Sequence, residues 1–407
     1  DVSGAKATPG VIAALTGKDA AQDGLAPIPH DPGWLDPPDV ALYIAPEFNV
    51  FMTDNAVLPL DTVRYVGEAV AMVVAETLAA ATDAAERVEI DYEPLPAVLE
   101  ARAALAPDAP RLWPECAMNV ALTCEVGDKD ATDRAFAEAA HIVTFASQVN
   151  RVTGSPMEPR AAIGEYNAAT GRYTLRAGSG RGVVQTRERL ARILGAAKEQ
   201  CRVVFGDMGG NFGTRNAFSP EYALMPWAAR RVGRPVKWVA DRRECFLSDY
   251  QARDLTSEAE LALDEAGNFL GLRGVNTSNL GAYLCVQGNH SPVANLGGLA
   301  GTYTTPAIFA RVLGVFTHTS PTAPYRGAGR PEATYAVERI IDQAAREMGI
   351  DRIELRRRNM IPADAMPYDT GFVFTYDSGE FERSMDAVLD LADWSGFESR
   401  RAEAEAR

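Results

Sequence analysis

Cysteine is scarce in this chain. Cys116, Cys124, Cys201, Cys245 and Cys285 are the only five in 407 residues, with no CxxC pair and no Cys/His cluster. That spacing argues against a zinc site or an iron–sulfur cluster held by this chain alone. The odd count suits a reducing, cytoplasmic compartment better than a disulfide framework. Histidine is scarcer still. His30, His141, His290 and His318 are scattered, none lies in an HExxH pattern, and no GxSxG elbow exists, so no hydrolytic centre is visible. Positive charge is in deficit: 40 Lys and Arg against 55 Asp and Glu give a net charge of −15. A nucleic-acid binder needs a basic face to neutralise phosphates, which argues against that class. No run approaches the roughly 20 apolar residues of a membrane span. The chain opens at Asp1 without a signal segment and closes at Arg407 inside a charged, helix-like run. Both ends read as cuts through a longer polypeptide, or as the bounds of one half of a split one.

What is present describes a globular protein. Hydrophobic residues make up 47% and charged residues 23%, and the length implies two or three domains. In the first hundred residues, Val70–Ala75 reads as a buried strand, Glu76–Arg87 as a helix and Val88–Tyr92 as a second strand, a β-α-β unit closed at Pro94 and Pro96. Residues 25–60 are rich in proline and read as an ordered surface loop or covering segment. Pro107, Pro110 and Pro114, with little periodicity around them, mark residues 101–145 as a linker. A larger unit follows over 146–390. Ala161–Tyr166 and Arg172–Ala177 form a hairpin, Val183–Leu194 a helix ending at Gly195, and Cys201–Phe205 a strand. Ser219 caps the next helix, with Pro220 at its first position and Gly233 at its end. Glu258–Leu263 and Phe269–Val275 form another hairpin. A helix from Pro331 to Met348 places Tyr335, Ile340, Ile341, Ala344 and Met348 on one face. Residues 391–407 read as the start of a further domain. The order of elements predicts an α+β fold.

Three loops are candidates for chemistry. The first is Gly209-Gly210-Asn211-Phe212-Gly213-Thr214-Arg215. Closely spaced glycines let the backbone approach a ligand and aim N–H groups at anionic oxygens. The spacing is neither GxGxxG nor a phosphate loop, and a tight structural turn is the alternative. The second is Ala323-Pro324-Tyr325-Arg326-Gly327-Ala328-Gly329-Arg330-Pro331-Glu332. Two guanidiniums flank a turn that runs into a helix N-terminus, and both features favour anions; the alternative is a solvated surface turn. The third, Gly178 to Gly182, reads as a strand–helix connection. Glu158, before Pro159, is either a catalytic carboxylate or the cap of a turn, and His141 reads as structural.

The first two loops resemble the two best-known motifs of the molybdenum hydroxylase family, which includes xanthine dehydrogenase, aldehyde oxidoreductase and the large subunit of aerobic carbon monoxide dehydrogenase. Residues 64–77 and 85–98 resemble that family's α/β hammerhead domain, and residues 233–238, 242–249 and 354–359 also fit. The resemblance spans essentially the whole chain. It implies a hammerhead domain over 1–100, lacking its start, and a mixed α+β first molybdopterin-binding domain over 146–390. It also implies a molybdenum–pterin dithiolene cofactor, in its cytosine dinucleotide form. Such an enzyme takes oxygen from water to oxidise an aldehyde or N-heteroaromatic ring. Electrons leave through iron–sulfur clusters and FAD on partner subunits. By the family pattern Gly209, Gly210, Phe212 and Gly213 lie over the molybdenum, and Arg326 lies beside it. Arg181 takes the place of a glutamine near the metal's oxo group. Asn216, Tyr325, Gly327 and Ala328 fall at substrate-binding positions.

The departures are specific. Copper-containing carbon monoxide dehydrogenases carry a cysteine after the motif arginine, where Gly327 stands here, so no copper ligand is present. Neutral Asn216 replaces an acid expected for purine recognition. The family's general base is a glutamate in a GxGE motif, which does not occur in this chain. A missing segment or second molybdopterin-binding chain is expected to supply it. The competing expectations are a cofactor-free scaffold of the same fold and, more remotely, a nicotinamide dehydrogenase, which lacks its fingerprint here.

Overall fold

The computed structural model describes residues 1–29, 49–178, 182–285 and 287–407. Much of the proline-rich segment, with His30, lies outside them, as does the centre of the third loop with Arg181. The described chain is α+β, as expected. Its strands are β1 (Val11–Thr16), β2 (Asn49–Val50), β3 (Ala71–Ala75), β4 (Val120–Gly127), β5 (His141–Thr153), β6 (Ala161–Asn167), β7 (Arg172–Ala177), β8 (Cys201–Phe205), β9 (Val236–Val239), β10 (Gln251–Leu263), β11 (Phe269–Gly281), β12 (Ala307–Phe316), β13 (Tyr368–Asp369) and β14 (Thr375–Tyr376).

The N-terminal unit is built on an antiparallel pair, β1 with β3. The helix Leu78–Ala85 follows β3, started by the Thr77 hydroxyl, which accepts the Ala80 N–H at 3.1 Å. The expected β-α-β unit does not form. Residues 88–96 form no strand: Glu89 exchanges backbone hydrogen bonds with Asp1 at 2.9 and 2.6 Å, and Ile90, Tyr92 and Leu95 are exposed. β3 pairs with the earlier β1 instead, and residues 88–92 join neither outer edge of that two-stranded sheet.

Two larger sheets and one short antiparallel pair, β13 with β14, make the rest. A four-stranded sheet runs β8-β7-β6-β9, with β7 and β8 parallel through the crossover helix Val183–Leu194. A six-stranded sheet runs β2-β4-β12-β11-β10-β5. Residues 101–145 are therefore more than a connector, because β4 and the first residues of β5 are strands of this sheet. The 13-residue β10 and β11 pair well beyond the expected hairpin. Asp264 fixes their turn by accepting N–H bonds from Ala266 and Asn268.

Each sheet has its own core. Leu175, Leu190, Ile193, Tyr222 and Trp227 pack on the four-stranded sheet, joined by Leu15, Leu58 and Val74 of the N-terminal unit. Leu122, Leu261, Val312, Ile340 and Ile341 pack in the other. The helix Arg330–Met348 buries Ile340, Ile341 and Ala344 as its periodicity predicts. Tyr335 departs from that face: it is 45% exposed and meets Phe145 edge-on. The helix Glu221–Val232 starts one residue later than expected. Pro220 occupies the capping position and no side-chain bond from Ser219 caps it.

That helix lies directly on β6. A Cβ added to Gly164 would stand 2.1 Å from the Met225 carbonyl carbon and 2.2 Å from the Pro226 nitrogen. Glycine here sets the distance between helix and sheet. Gly→Ala in ordinary backbone stabilises by about 0.4–1 kcal/mol. At Gly164 the sign is expected to reverse, with Gly164→Ala destabilising by about 1–3 kcal/mol in a urea titration.

Candidate functional site

Three connections meet at one end of the two sheets: residues 154–160 after β5, 206–220 after β8, and 317–329 after β12. Gly154 marks the junction. A Cβ there would lie 2.8 Å from Thr214 Oγ1, 3.7 Å from the Tyr325 ring and 3.8 Å from Phe212 Cβ.

The first turn is tightly wound. Gly210 (φ 116°), Phe212 (φ 55°) and Gly213 (φ 98°) all have positive φ. For a bulky residue such as Phe212 that conformation is strained. Asn211 Oδ1 accepts the Gly213 N–H at 2.7 Å and closes the turn locally. Phe212 does not fill the core; it is 44% exposed.

The second turn is wound in the same sense, with Gly327 (φ 94°), Ala328 (φ 47°) and Gly329 (φ 96°) in succession. The Ala328 N–H bonds the Tyr325 carbonyl at 2.9 Å and the Arg330 N–H bonds the Gly327 carbonyl at 3.1 Å. The two turns touch through their backbones. The Arg326 N–H donates to the Phe212 carbonyl at 2.9 Å. A Cβ on Gly213 would stand 2.4 Å from the Pro324 carbonyl oxygen, so only glycine lets the turns approach this closely.

Buried charge supports the first turn. Glu158 Oε2 accepts the Gly209 N–H at 2.6 Å, so this carboxylate caps a turn. The Glu158 carbonyl in turn accepts from Arg215 Nη1 at 2.5 Å. Arg215 reaches Asp249 at 3.5 Å, Asp249 pairs with Arg160 at 2.6 Å, and Arg160 pairs with Glu221 at 3.0 Å. Burial opposes the charge on Arg160, but Glu221 and Asp249 outweigh it and raise its pKa. Two cations and two anions cancel, which makes the burial tolerable. Sequence reasoning missed Arg160 and Asp249, because 89 residues separate them and no local pattern links them.

Ala217 and Ala323, close in sequence to the two turns, pack with Tyr250 and Cys285 in a small buried cluster. Burial pushes the Cys285 thiol up to about 12, so it is not a nucleophile at neutral pH.

The expected residues are thus brought together: Gly209, Gly210, Phe212 and Gly213 on one turn, Tyr325, Arg326, Gly327 and Ala328 on the other. Asn216 ends the single 3₁₀ turn Thr214–Asn216, half-buried, its N–H bonded to the Gly213 carbonyl. Arg326 is exposed, and its guanidinium has no hydrogen-bond or ion-pair partner among the described residues. Asn211 Nδ2 is a buried donor with no partner there. No group of three or more His, Cys, Asp or Glu gathers among the described residues. A free guanidinium, an unused amide donor and glycine turns fit an oxygen-rich anionic group better than a bare cation.

Such a floor of glycine turns and donors is that of a cofactor-cradling domain, and comparison with known proteins agrees. Residues 112–360 match the molybdopterin cofactor-binding domain. Residues 1–96 match the hammerhead domain of aldehyde oxidase and xanthine dehydrogenase. The chain belongs to the molybdenum hydroxylase family. It is 36% identical to the gamma subunit of the 6-hydroxypseudooxynicotine dehydrogenase complex of Paenarthrobacter nicotinovorans, over 88% of this chain and 46% of that protein. It is 33% identical to the carbon monoxide dehydrogenase large chain of Hydrogenophaga pseudoflava, over 85% of this chain and 45% of that one. The crystal structure of quinoline 2-oxidoreductase from Pseudomonas putida 86 superposes with a TM-score of 0.89 at 31% identity, covering 100% of this chain and 50% of that one. The chain therefore spans about half the length of the relatives it matches.

The buried network yields a contrast in stability. Asp249→Asn leaves two buried guanidiniums sharing one fewer anion and is expected to cost about 3–5 kcal/mol. Glu260→Gln, which breaks the half-exposed pair with Arg273, is expected to cost under about 1 kcal/mol. Denaturant unfolding of both variants measures the difference.

Proposed function

We propose that this chain is the molybdenum–pterin-binding portion of a hydroxylase that oxidises an N-heteroaromatic ring or an aldehyde with oxygen from water. The observation that carries this reading is the convergence of the Phe212 and Arg326 turns through one backbone hydrogen bond. The N-heteroaromatic arm is favoured because quinoline and nicotine stand in the names of similar enzymes.

The residues divide the work. Gly209, Gly210 and Gly213 let the turn pack tightly on Glu158, Pro156 and Pro324, which fixes the backbone at Phe212 toward the pterin's metal end. Arg326 supplies a guanidinium for its anionic oxygens. Asn216, Tyr325, Gly327 and Ala328 wall the substrate side. Neutral Asn216 suits a ring nitrogen or carbonyl rather than a purine. When bound, the molybdenum–pterin group supplies the two-electron oxidising centre that the protein itself lacks.

In this reading residues 1–100 are the hammerhead unit and residues 146–390 the first molybdopterin-binding domain, with β4 contributing to its sheet. Residues 391–407 begin the next domain. The cofactor carries the cytosine dinucleotide tail. Iron–sulfur and FAD subunits take the electrons in a cytoplasmic complex. The general-base glutamate comes from a further segment or a second molybdopterin-binding chain.

Elemental analysis of the complete assembly is expected to find molybdenum, and its absence overturns the proposal. Arg326→Met is expected to lower molybdenum content by about 10–100-fold, the loss of one charge-assisted hydrogen bond to a buried anion. Arg326→Lys is expected to recover part of it, since the charge remains without the planar fork.

A further inference from the structure

The Arg326 guanidinium lacks a partner among the described residues, yet the peptide that carries it is held at both poles. Its N–H is bonded to Phe212 of the opposite turn. Its carbonyl accepts a hydrogen bond from Arg253 Nη2 at 2.8 Å.

Arg253 makes two other contacts. Its Nη1 bonds Glu332 Oε2 at 2.7 Å, in a pair whose side chains are 12% and 4% exposed. Its guanidinium carbon also lies 5.1 Å from the centre of the Tyr325 ring. Glu332 stands in the first turn of the helix that follows the Arg326 turn, where the helix dipole favours a carboxylate. One guanidinium thus grips the residue before Arg326, the carbonyl of Arg326 itself, and the helix start six residues on.

The backbone agrees with a constrained role. Arg253 (φ 65°) and Asp254 (φ 62°) are successive non-glycine residues in the left-handed region, within a β-strand. Such strain persists where surrounding contacts over-determine it. Arg253 has the three contacts above, and Asp254 accepts from Arg151 Nε at 2.9 Å. Arg151 is itself tied to the Ser320 carbonyl at 2.6 Å and to Thr319 at 2.7 Å, at the root of the same loop.

We propose that Arg253 is the positioning residue of this site: it pins the Tyr325–Arg326 peptides so that the Arg326 guanidinium is presented, preorganised, to an anionic cofactor. The inference rests on the molybdenum–pterin reading, but its geometric half is tested without the cofactor.

Two measurements on Arg253→Met decide it, with Arg253→Lys as the conservative partner. In the complete assembly prepared without cofactor, amide hydrogen exchange at Arg326 and Ala328 is expected to speed by about tenfold or more, while amides of the β11–β12 core stay unchanged. In the complete assembly, molybdenum and pterin content are expected to fall at least about threefold, with an altered Mo(V) paramagnetic signal in what remains. Arg253→Lys is expected to restore part of both, because it keeps the cation beside Glu332 and Tyr325 but cannot fork between carboxylate and carbonyl. Unchanged exchange at Arg326 overturns the clamp. Faster exchange throughout the core overturns it also, by showing a merely structural role. Faster local exchange with unaltered metal content and Mo(V) signal overturns the link to the cofactor. A wild-type assembly without molybdenum sinks the functional reading as well, and exchange then reports on the clamp alone.

Discussion

The site depends on the close approach of two peptide backbones. Phe212 and Arg326 lie more than a hundred residues apart, on loops from different sheets, and meet through a main-chain hydrogen bond. Backbone contact at this distance leaves no volume for a side chain at Gly213, where a Cβ would overlap the Pro324 carbonyl. It also demands turns of unusual hand, which explains the run of positive φ at Gly210, Phe212 and Gly213 and again from Gly327 to Gly329. Strain of this kind is held by the structure around it. The Glu158 carboxylate and the Arg215 guanidinium hold one turn, and Arg253 holds the other.

Electrostatics separates scaffold from site. Arg160 and Arg215 are buried and matched by Glu221 and Asp249. They cannot attract a ligand, because their charge is already neutralised, and their work is to hold three loops together. Arg326 is the opposite case, an exposed cation whose backbone is fixed and whose side chain is unmatched among the described residues. In a chain of net charge −15, a local unpaired cation at a rigid turn gives an anionic group a defined place to settle. The polarity of the site follows from this asymmetry and not from overall composition.

The N-terminal unit shows how far local pattern carries. Val70–Ala75 and the helix after it are legible because a short apolar run and an alanine-rich segment specify themselves. The alternation over residues 88–92 has the same local quality and still makes no strand: Glu89 bonds the backbone of Asp1, and the segment joins neither outer edge of the β1–β3 pair. Residues 101–145 show the converse. Their prolines read as a connector, yet β4 lies within the six-stranded sheet because β12 offers it an edge. Helices that close their own hydrogen bonds were read to within a residue or two, whereas strand membership depended on distant chain.

The α+β class, the hairpin at 161–177, the helices ending at Gly195, Gly233 and Gly349, and the two glycine-rich turns with their family resemblance are legible in the residues alone. Each is written in contiguous residues whose propensities act locally. Long-range packing makes Glu158 the cap of a turn, takes Tyr335 off the buried face, and brings Arg160, Asp249 and Arg253 to support the site. Those roles arise from charges and carbonyls brought together across tens to hundreds of residues, and the energy of burying a charge is set by which partner the fold delivers to it.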